Sequence, residues 1–229
     1  MTTPTHQPRR ITGPQDLAGI FDVSAATLDR LATYQAVLTR WQRAVNLVAP
    51  ATIPDIWHRH FADSLQLARF IPEGEGRALA DLGSGAGFPG LVLAAHFADR
   101  GGPAVILVES DQRKAAFLRE AARAMEISVE ILSTRIESDA NLAVLRCVDF
   151  VTARALAPLP RLFSLVSPFL SPAAVCIFQK GRNAAREIAE AREVWSFELD
   201  VHPSLTEEEA SVLVVRAIEP RSGTGQQTE

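Results

Sequence analysis

Sulfur and lysine are scarce in this chain of 229 residues, which has two cysteines, two methionines and two lysines against 21 arginines. Two cysteines cannot build a disulfide framework or a cysteine-rich zinc cage. Cys147 and Cys176 both lie in apolar stretches and read as buried thiols. No run approaches the roughly 18 consecutive apolar residues of a membrane span. The polar segment Met1–Arg10 lacks the apolar core of a signal peptide, which predicts a cytoplasmic protein. A G-K-[ST] phosphate loop is missing, so P-loop chemistry is excluded. Internal repeats are missing too, and the net charge of −4 argues against a protein that coats nucleic acid indiscriminately. His60 and Asp63 fall one helical turn apart, but no third ligand has metal-binding spacing, so no metal is expected.

What the chain does have is the decapeptide Asp81-Leu-Gly-Ser-Gly-Ala-Gly-Phe-Pro-Gly90, between the apolar runs Ala78–Ala80 and Leu91–Ala95. It reads as strand, tight loop and helix. Gly83, Gly85 and Gly87 permit positive φ and close approach to a ligand, and Gly85 is expected to leave no room for a side chain. Pro89 suits the first turn of the following helix. Such a loop opens a nucleoside-cofactor site at the carboxyl edge of a parallel sheet. The dinucleotide pattern G-x-G-x-x-G is met only weakly, counting from Gly85 to Gly90. S-adenosylmethionine carries no phosphate and fits an acidic residue, a G-x-G-x-G loop and a second acidic residue ending the next strand. Asp81 and Glu109 occupy those two places, and the Glu109 carboxylate could accept both ribose hydroxyls.

Around this loop the hydrophobic periodicity is regular. Residues 1–12 are polar and predicted disordered, and 13–72 form an N-terminal helical cap. The cap holds a short helix over 14–21, a long one from the N-cap Ser24 to about Val45, and a third over 55–70. The apolar face of the long helix comprises Leu28, Leu31, Leu38, Trp41 and Val45, with Gln35 as a polar exception. From 73 to 219 strands at 78–82, 104–108, 128–132, 148–153 and 173–179 alternate with helices at 89–97, 111–125, 159–168 and 183–193. Two β-rich runs, 197–201 and 211–215, then follow with only a loop between them. Alternation ending in a hairpin predicts an α/β fold with a seven-stranded, mostly parallel sheet and a terminal antiparallel hairpin. Residues 220–229 form a second polar tail.

The loop together with Trp41, Asn46-Leu47, Arg59-His60-x-x-Asp63-Ser64-Leu65, Glu109-Ser110, Arg113-Lys114, Phe117-Leu118, Arg135-x-Glu137, Asp149, Arg154-Ala155 and Lys180-Gly181 resembles the bacterial small-subunit ribosomal RNA methyltransferase G family. That family was earlier named glucose-inhibited division protein B. The resemblance spans about residues 30–182 and implies a Rossmann-like, class I S-adenosylmethionine-dependent methyltransferase. It further implies transfer of the methyl group to N7 of one guanine in a decoding-region loop of 16S rRNA. Carried over residue by residue, cofactor contacts fall at Gly83, Phe88, Ile136, Glu137 and Arg154, with Glu109 added by the ribose argument. The implied partner is 16S rRNA or the small ribosomal subunit, and a monomer is expected.

The residues themselves agree with N7 chemistry. Thr152-Ala-Arg-Ala-Leu-Ala-Pro158 lacks the Pro-Pro-aromatic box of exocyclic-amine methylases and the Pro-Cys nucleophile of pyrimidine carbon-5 methylation. Guanine N7 has an in-plane lone pair and no proton to lose, so it needs neither base nor nucleophile. A donor should reach O6 while leaving N7 free, which makes Lys180 and Arg154 the candidate catalytic cations. Arg59, His60 and Lys180 are the candidate substrate contacts. Trp41, Trp57 and Phe61 read either as core or as stacking platforms for bases. Two other readings stay open: a class I methyltransferase acting on a small molecule or protein, and a non-catalytic RNA- or cofactor-binding module.

Overall fold

The structure is a computed structural model that describes residues 10–74, 76–138, 143–146 and 148–221; Cys147 and the outer parts of both predicted tails lie outside the described residues. Two helices open it, α1 (Pro14–Ala18) and α2 (Ala25–Trp41). Ser24 caps α2 by accepting a hydrogen bond from the Thr27 amide. The predicted end at Val45 is four residues too late. Gln42 folds over the chain that follows: its Oε1 accepts from the amides of Leu47 and Val48, and its Nε2 donates to the Val48 carbonyl. Those bonds replace a further helical turn.

The single helix expected over 55–70 is in fact a mixed run. A 3₁₀ segment (Pro50–Asp55) is followed by a π-helical turn (Trp57–Ala62), a short α-turn α3 (Asp63–Leu65) and a second 3₁₀ segment (Gln66–Phe70). Wide turns of this kind recur at functional sites.

The sheet then builds as predicted: β1 (Ala78–Leu82), α4 (Gly90–Phe97), β2 (Ala104–Val108), α5 (Gln112–Ala124) and β3 (Glu130–Leu132). It continues through β4 (Phe150–Arg154), α6 (Leu159–Val166), β5 (Val175–Lys180), α7 (Ala184–Val194), β6 (Trp195–Pro203) and β7 (Ser211–Pro220). Strand order is β3-β2-β1-β4-β5-β7-β6. The first five strands pair in parallel; β7 runs antiparallel to both β5 and β6. The order reverses between β1 and β4, which opens a crevice outside their carboxyl ends.

Two apolar clusters sandwich the sheet. One joins α2, the mixed helical run, α4 and α5 to one face of the sheet through Leu31, Tyr34, Phe61, Leu91 and Phe117. The other packs α6 and α7 on the opposite face through Leu162, Phe163 and Ala191. No helix among the described residues is long and apolar enough to cross a membrane.

Candidate functional site

Asp81, at the end of β1, fixes the glycine loop before any ligand is considered. Its side chain is fully buried; Oδ1 accepts from the Thr152 hydroxyl at 2.8 Å and Oδ2 from the Gly90 amide at 3.2 Å. Thr152 lies directly opposite Asp81 in the β1–β4 ladder. One carboxylate therefore clamps the neighbouring strand and the start of α4 across the switch point. Burial outweighs these bonds and pushes its pKa up to about 6.

The loop arches over this clamp. Gly85 has φ +57° and donates its amide to Glu109 Oε2 at 2.8 Å. The expectation that Gly85 lacks room is corrected here. A Cβ there would meet only the Gly83 carbonyl oxygen, at 3.7 Å, so what limits the position is its left-handed backbone. Gly90 is tight, with a Cβ standing 2.3 Å from Leu107 Cδ2 and 2.7 Å from Asp81 Oδ2, and Gly83 and Gly87 are crowded too, each with a side-chain atom 2.6 Å from where a Cβ would stand.

Glu109 is buried, and its other oxygen accepts from the Asp111 amide at 2.7 Å. Each oxygen thus spends one lone pair on the backbone and keeps another. A fixed carboxylate of this kind repels phosphate and suits a diol. That matches the absence of any lysine in the loop.

A cavity of about 810 Å³ lies outside the carboxyl ends of β1, β4 and β5. It brings together six of the predicted site residues: Gly83, Phe88, Arg154, Lys180, Arg59 and His60. Glu109, Ile136 and Glu137 do not line it. They follow β2 and β3, further along the same carboxyl edge. Ile136 is buried in the second apolar cluster, while Glu137 is exposed and pairs with Arg161 at 3.1 Å. Arg113 and Lys114 open α5, where their amides are capped by the Asp111 carboxylate.

Arg154 is the hub between sheet and cap. Its guanidinium reaches Asp63 Oδ2 at 3.3 Å, the Arg59 carbonyl at 3.3 Å and His60 Nδ1 at 3.0 Å, and lies 5.2 Å from the Phe88 ring centre. A guanidinium only donates, so Nδ1 accepts and the imidazole proton sits on Nε2. From there it is donated to the Thr52 hydroxyl at 2.8 Å, and Thr52 in turn donates to the Ala49 carbonyl. Burial, then Arg154 and Arg59, lower the His60 pKa to about 3. His60 is therefore a neutral residue of the cavity floor, stacked on Phe88 at 4.8 Å.

Lys180 is almost covered. Its ammonium donates to the Ala157 carbonyl at 2.6 Å and pairs with Glu187 at 2.8 Å, and Glu187 also accepts from the Leu159 amide. Two of its three donors are thereby used. Arg59 is half-exposed and ion-paired with Glu207. The aromatic candidates prove to be core: Trp57 and Phe61 are buried, and Trp41 packs edge-on to Phe117. Gln35, the polar exception on α2, accepts a hydrogen bond from the Trp57 indole at 2.9 Å. Cys176 is buried in β5, where desolvation raises its thiol pKa and silences it as a nucleophile. Among the described residues no three His, Cys, Asp or Glu side chains gather as a metal site.

Sequence reasoning missed Thr52, Thr206 and Glu187 as members of this network. No periodic signal links Thr52 to His60 across two kinds of helical turn, or Lys180 to Glu187 across a strand-to-helix joint.

Residues 27–217 match the family described as rRNA small subunit methyltransferase G. The chain is 48% identical over 206 residues to the ribosomal RNA small subunit methyltransferase G of Rhodospirillum centenum, covering 90% of this chain and 91% of the relative. It is 42% identical over 214 residues to the protein of the same name from Parvibaculum lavamentivorans, covering 93% of each. Among solved structures, a predicted O-methyltransferase from Agrobacterium tumefaciens superposes with TM-score 0.53 at 22% identity, over 70% of this chain and 81% of that one. A SAM-dependent methyltransferase from Aquifex aeolicus gives TM-score 0.53 at 14% identity, over 72% of this chain and 94% of that one. At these identities the structural likeness speaks for the fold alone, that of class I methyltransferases.

Proposed function

The chain belongs to the rRNA small subunit methyltransferase G family, and on that premise we propose that it methylates N7 of one guanine in a decoding-region loop of 16S rRNA, with S-adenosylmethionine as donor. One observation carries the reading: a single cavity at the switch point gathers the glycine loop, Arg154 and Lys180, with the cap's Arg59 at its rim.

The residues present fit that cofactor. Gly83, Gly85 and Phe88 would hold its amino-acid and sulfonium part, and Glu109 its ribose, through the lone pairs that the backbone leaves free. Ile136 and Glu137 would lie beside the adenine, beyond the cavity. When bound, S-adenosylmethionine supplies an electrophilic methyl on a positively charged sulfur. The protein's share of the chemistry is positioning. Guanine N7 attacks with its own lone pair, so no side chain need remove a proton, and no cysteine need form a covalent bond. Alignment of two reacting atoms is worth up to about 7–11 kcal/mol when well achieved.

Lys180 keeps one donor for guanine O6, leaving N7 free. Arg154, held by Asp63 and His60, places its charge against Phe88 and the loop. His60 then serves RNA indirectly, by fixing Arg154, while Arg59 meets phosphate. Because the N7 edge of A-form RNA is sunk in a deep groove, the target guanine must stand in a loop or be turned out of its stack.

Primer extension after chemical cleavage at 7-methylguanine tests the proposal. Small subunits lacking the modification should gain one new stop when incubated with this protein and S-adenosylmethionine. Cofactor turnover with no stop in 16S rRNA would sink it and favour a small-molecule or protein substrate.

A further inference from the structure

Three consecutive glutamates, Glu207, Glu208 and Glu209, occupy the connection between β6 and β7, and Glu207 lines the cavity. Glu207 pairs with Arg59, and Glu209 stands 3.9 Å from Arg182, which follows the Lys180-Gly181 strand end. The connection is not loose. Thr206 is buried; its hydroxyl donates to Asp63 Oδ1 at 2.8 Å, and its carbonyl accepts from His58 Nε2 at 2.8 Å. The Leu205 amide donates to Gln66 Oε1 at 2.9 Å. These bonds are made by Leu205 and Thr206, so the connection is anchored ahead of the carboxylates that follow.

Resting on the RNA reading above, we propose that Glu207 and its acidic turn determine specificity: in the free protein they occupy the cations at the cavity mouth, and only an RNA that also fills the cavity displaces them readily. The physical argument is a competition. A phosphate reaching Arg59 gains by counterion release, but it must first break the pair with Glu207 and then lie beside the freed carboxylate. A random strand has only phosphate contacts to set against that cost. The target guanine adds base contacts inside the cavity and takes the mouth. The first acidic pair is about half-exposed and the second mostly exposed, hence weak enough to yield to the right ligand. Asp63 binds Thr206 through Oδ1 and Arg154 through Oδ2, so the turn and the hub share one carboxylate.

The test compares two variants of equal charge. Glu207→Gln and Glu208→Gln each remove one negative charge, but only the first frees a cation at the mouth. Binding of a fluorescent oligouridine, a non-target strand, is measured by anisotropy, alongside methylation of small ribosomal subunits. Glu207→Gln should bind oligouridine about two- to fivefold tighter than the parent protein at low salt. Raised salt should shrink the gain. Glu208→Gln should stay close to the parent. Equal gains in the two variants would reduce the effect to net charge and overturn the proposal, as would no gain in Glu207→Gln. Failure of the parent protein to methylate subunits would instead overturn the RNA reading, and this inference with it.

Discussion

His60 and Asp81 are both buried, and their protons pull stability in opposite directions. The His60 pKa is pushed from its ordinary 6.5 to about 3 by burial and by Arg154 and Arg59. Below pH 6.5 the unfolded chain gains a proton there and the folded one does not. Its contribution is therefore full above 6.5 and drains away as pH falls toward 3. Asp81 goes the other way, from 3.8 up to about 6. The folded protein holds the extra proton between those values, so that contribution is full below 3.8 and lost as pH rises through 6. The two slopes offset each other over the shared window, and a single group contributes at most roughly 1.4 kcal/mol per pH unit. His60→Gln removes one side of the balance, while its amide can still accept from Arg154 and donate to Thr52. The parent protein's stability advantage over His60→Gln should shrink as pH falls from 6.5 to 4.5, as read by urea unfolding. Curves that keep a constant gap would show that His60 takes up protons equally in both states.

The strand–loop–helix unit from β1 to α4 shows why some elements were legible and others were not. Strands β1 and β2 stand where the apolar runs put them, because a run buried on both faces between turn residues has little freedom of register. The loop was legible for the same kind of reason, since few residues besides glycine adopt positive φ. Its internal division of labour was not. Gly85 and Gly90 look alike in sequence, yet one faces space and the other is wedged against Leu107 and Asp81. The single helix expected over 55–70 proves mixed because apolar spacing cannot separate α, 3₁₀ and π turns when tertiary bonds such as Thr52 to His60 choose among them. The two glycines give contrasting expectations. Gly85→Asp should leave the circular dichroism spectrum unchanged and abolish binding of S-adenosylhomocysteine by calorimetry, because its side chain would enter the cofactor site. Gly90→Ala should lower stability by about 1–3 kcal/mol, the usual cost of overpacking. The assignment of Gly85 to the cofactor fails if its aspartate variant binds as the parent does.

At the scale of the whole molecule, the expected split into a cap (13–72) and a catalytic domain (73–219) follows the sequence pattern, but the packing crosses that line. One apolar cluster contains Leu31, Tyr34, Leu38 and Phe61 of the cap together with Leu79, Leu91, Phe117 and Ile177 of the sheet layer. Tyr34 stacks on Phe88 of the glycine loop at 5.2 Å, and its hydroxyl donates to the Ala86 carbonyl. Arg154, at the end of β4, takes three of its polar contacts from the cap. A cavity whose floor belongs to the cap cannot be complete without it, and neither layer can expose that cluster to water cheaply. The cap and the sheet should therefore unfold together. Trp195→Phe leaves Trp41 and Trp57, both in the cap, as the only fluorescent indoles. In that variant the thermal midpoints from tryptophan emission and from far-ultraviolet circular dichroism should coincide, and residues 73–219 expressed alone should show no cooperative transition. An emission change well below the dichroism midpoint, or a cooperative melt of the isolated 73–219 segment, would make the cap a separate domain resting on a catalytic unit stable by itself.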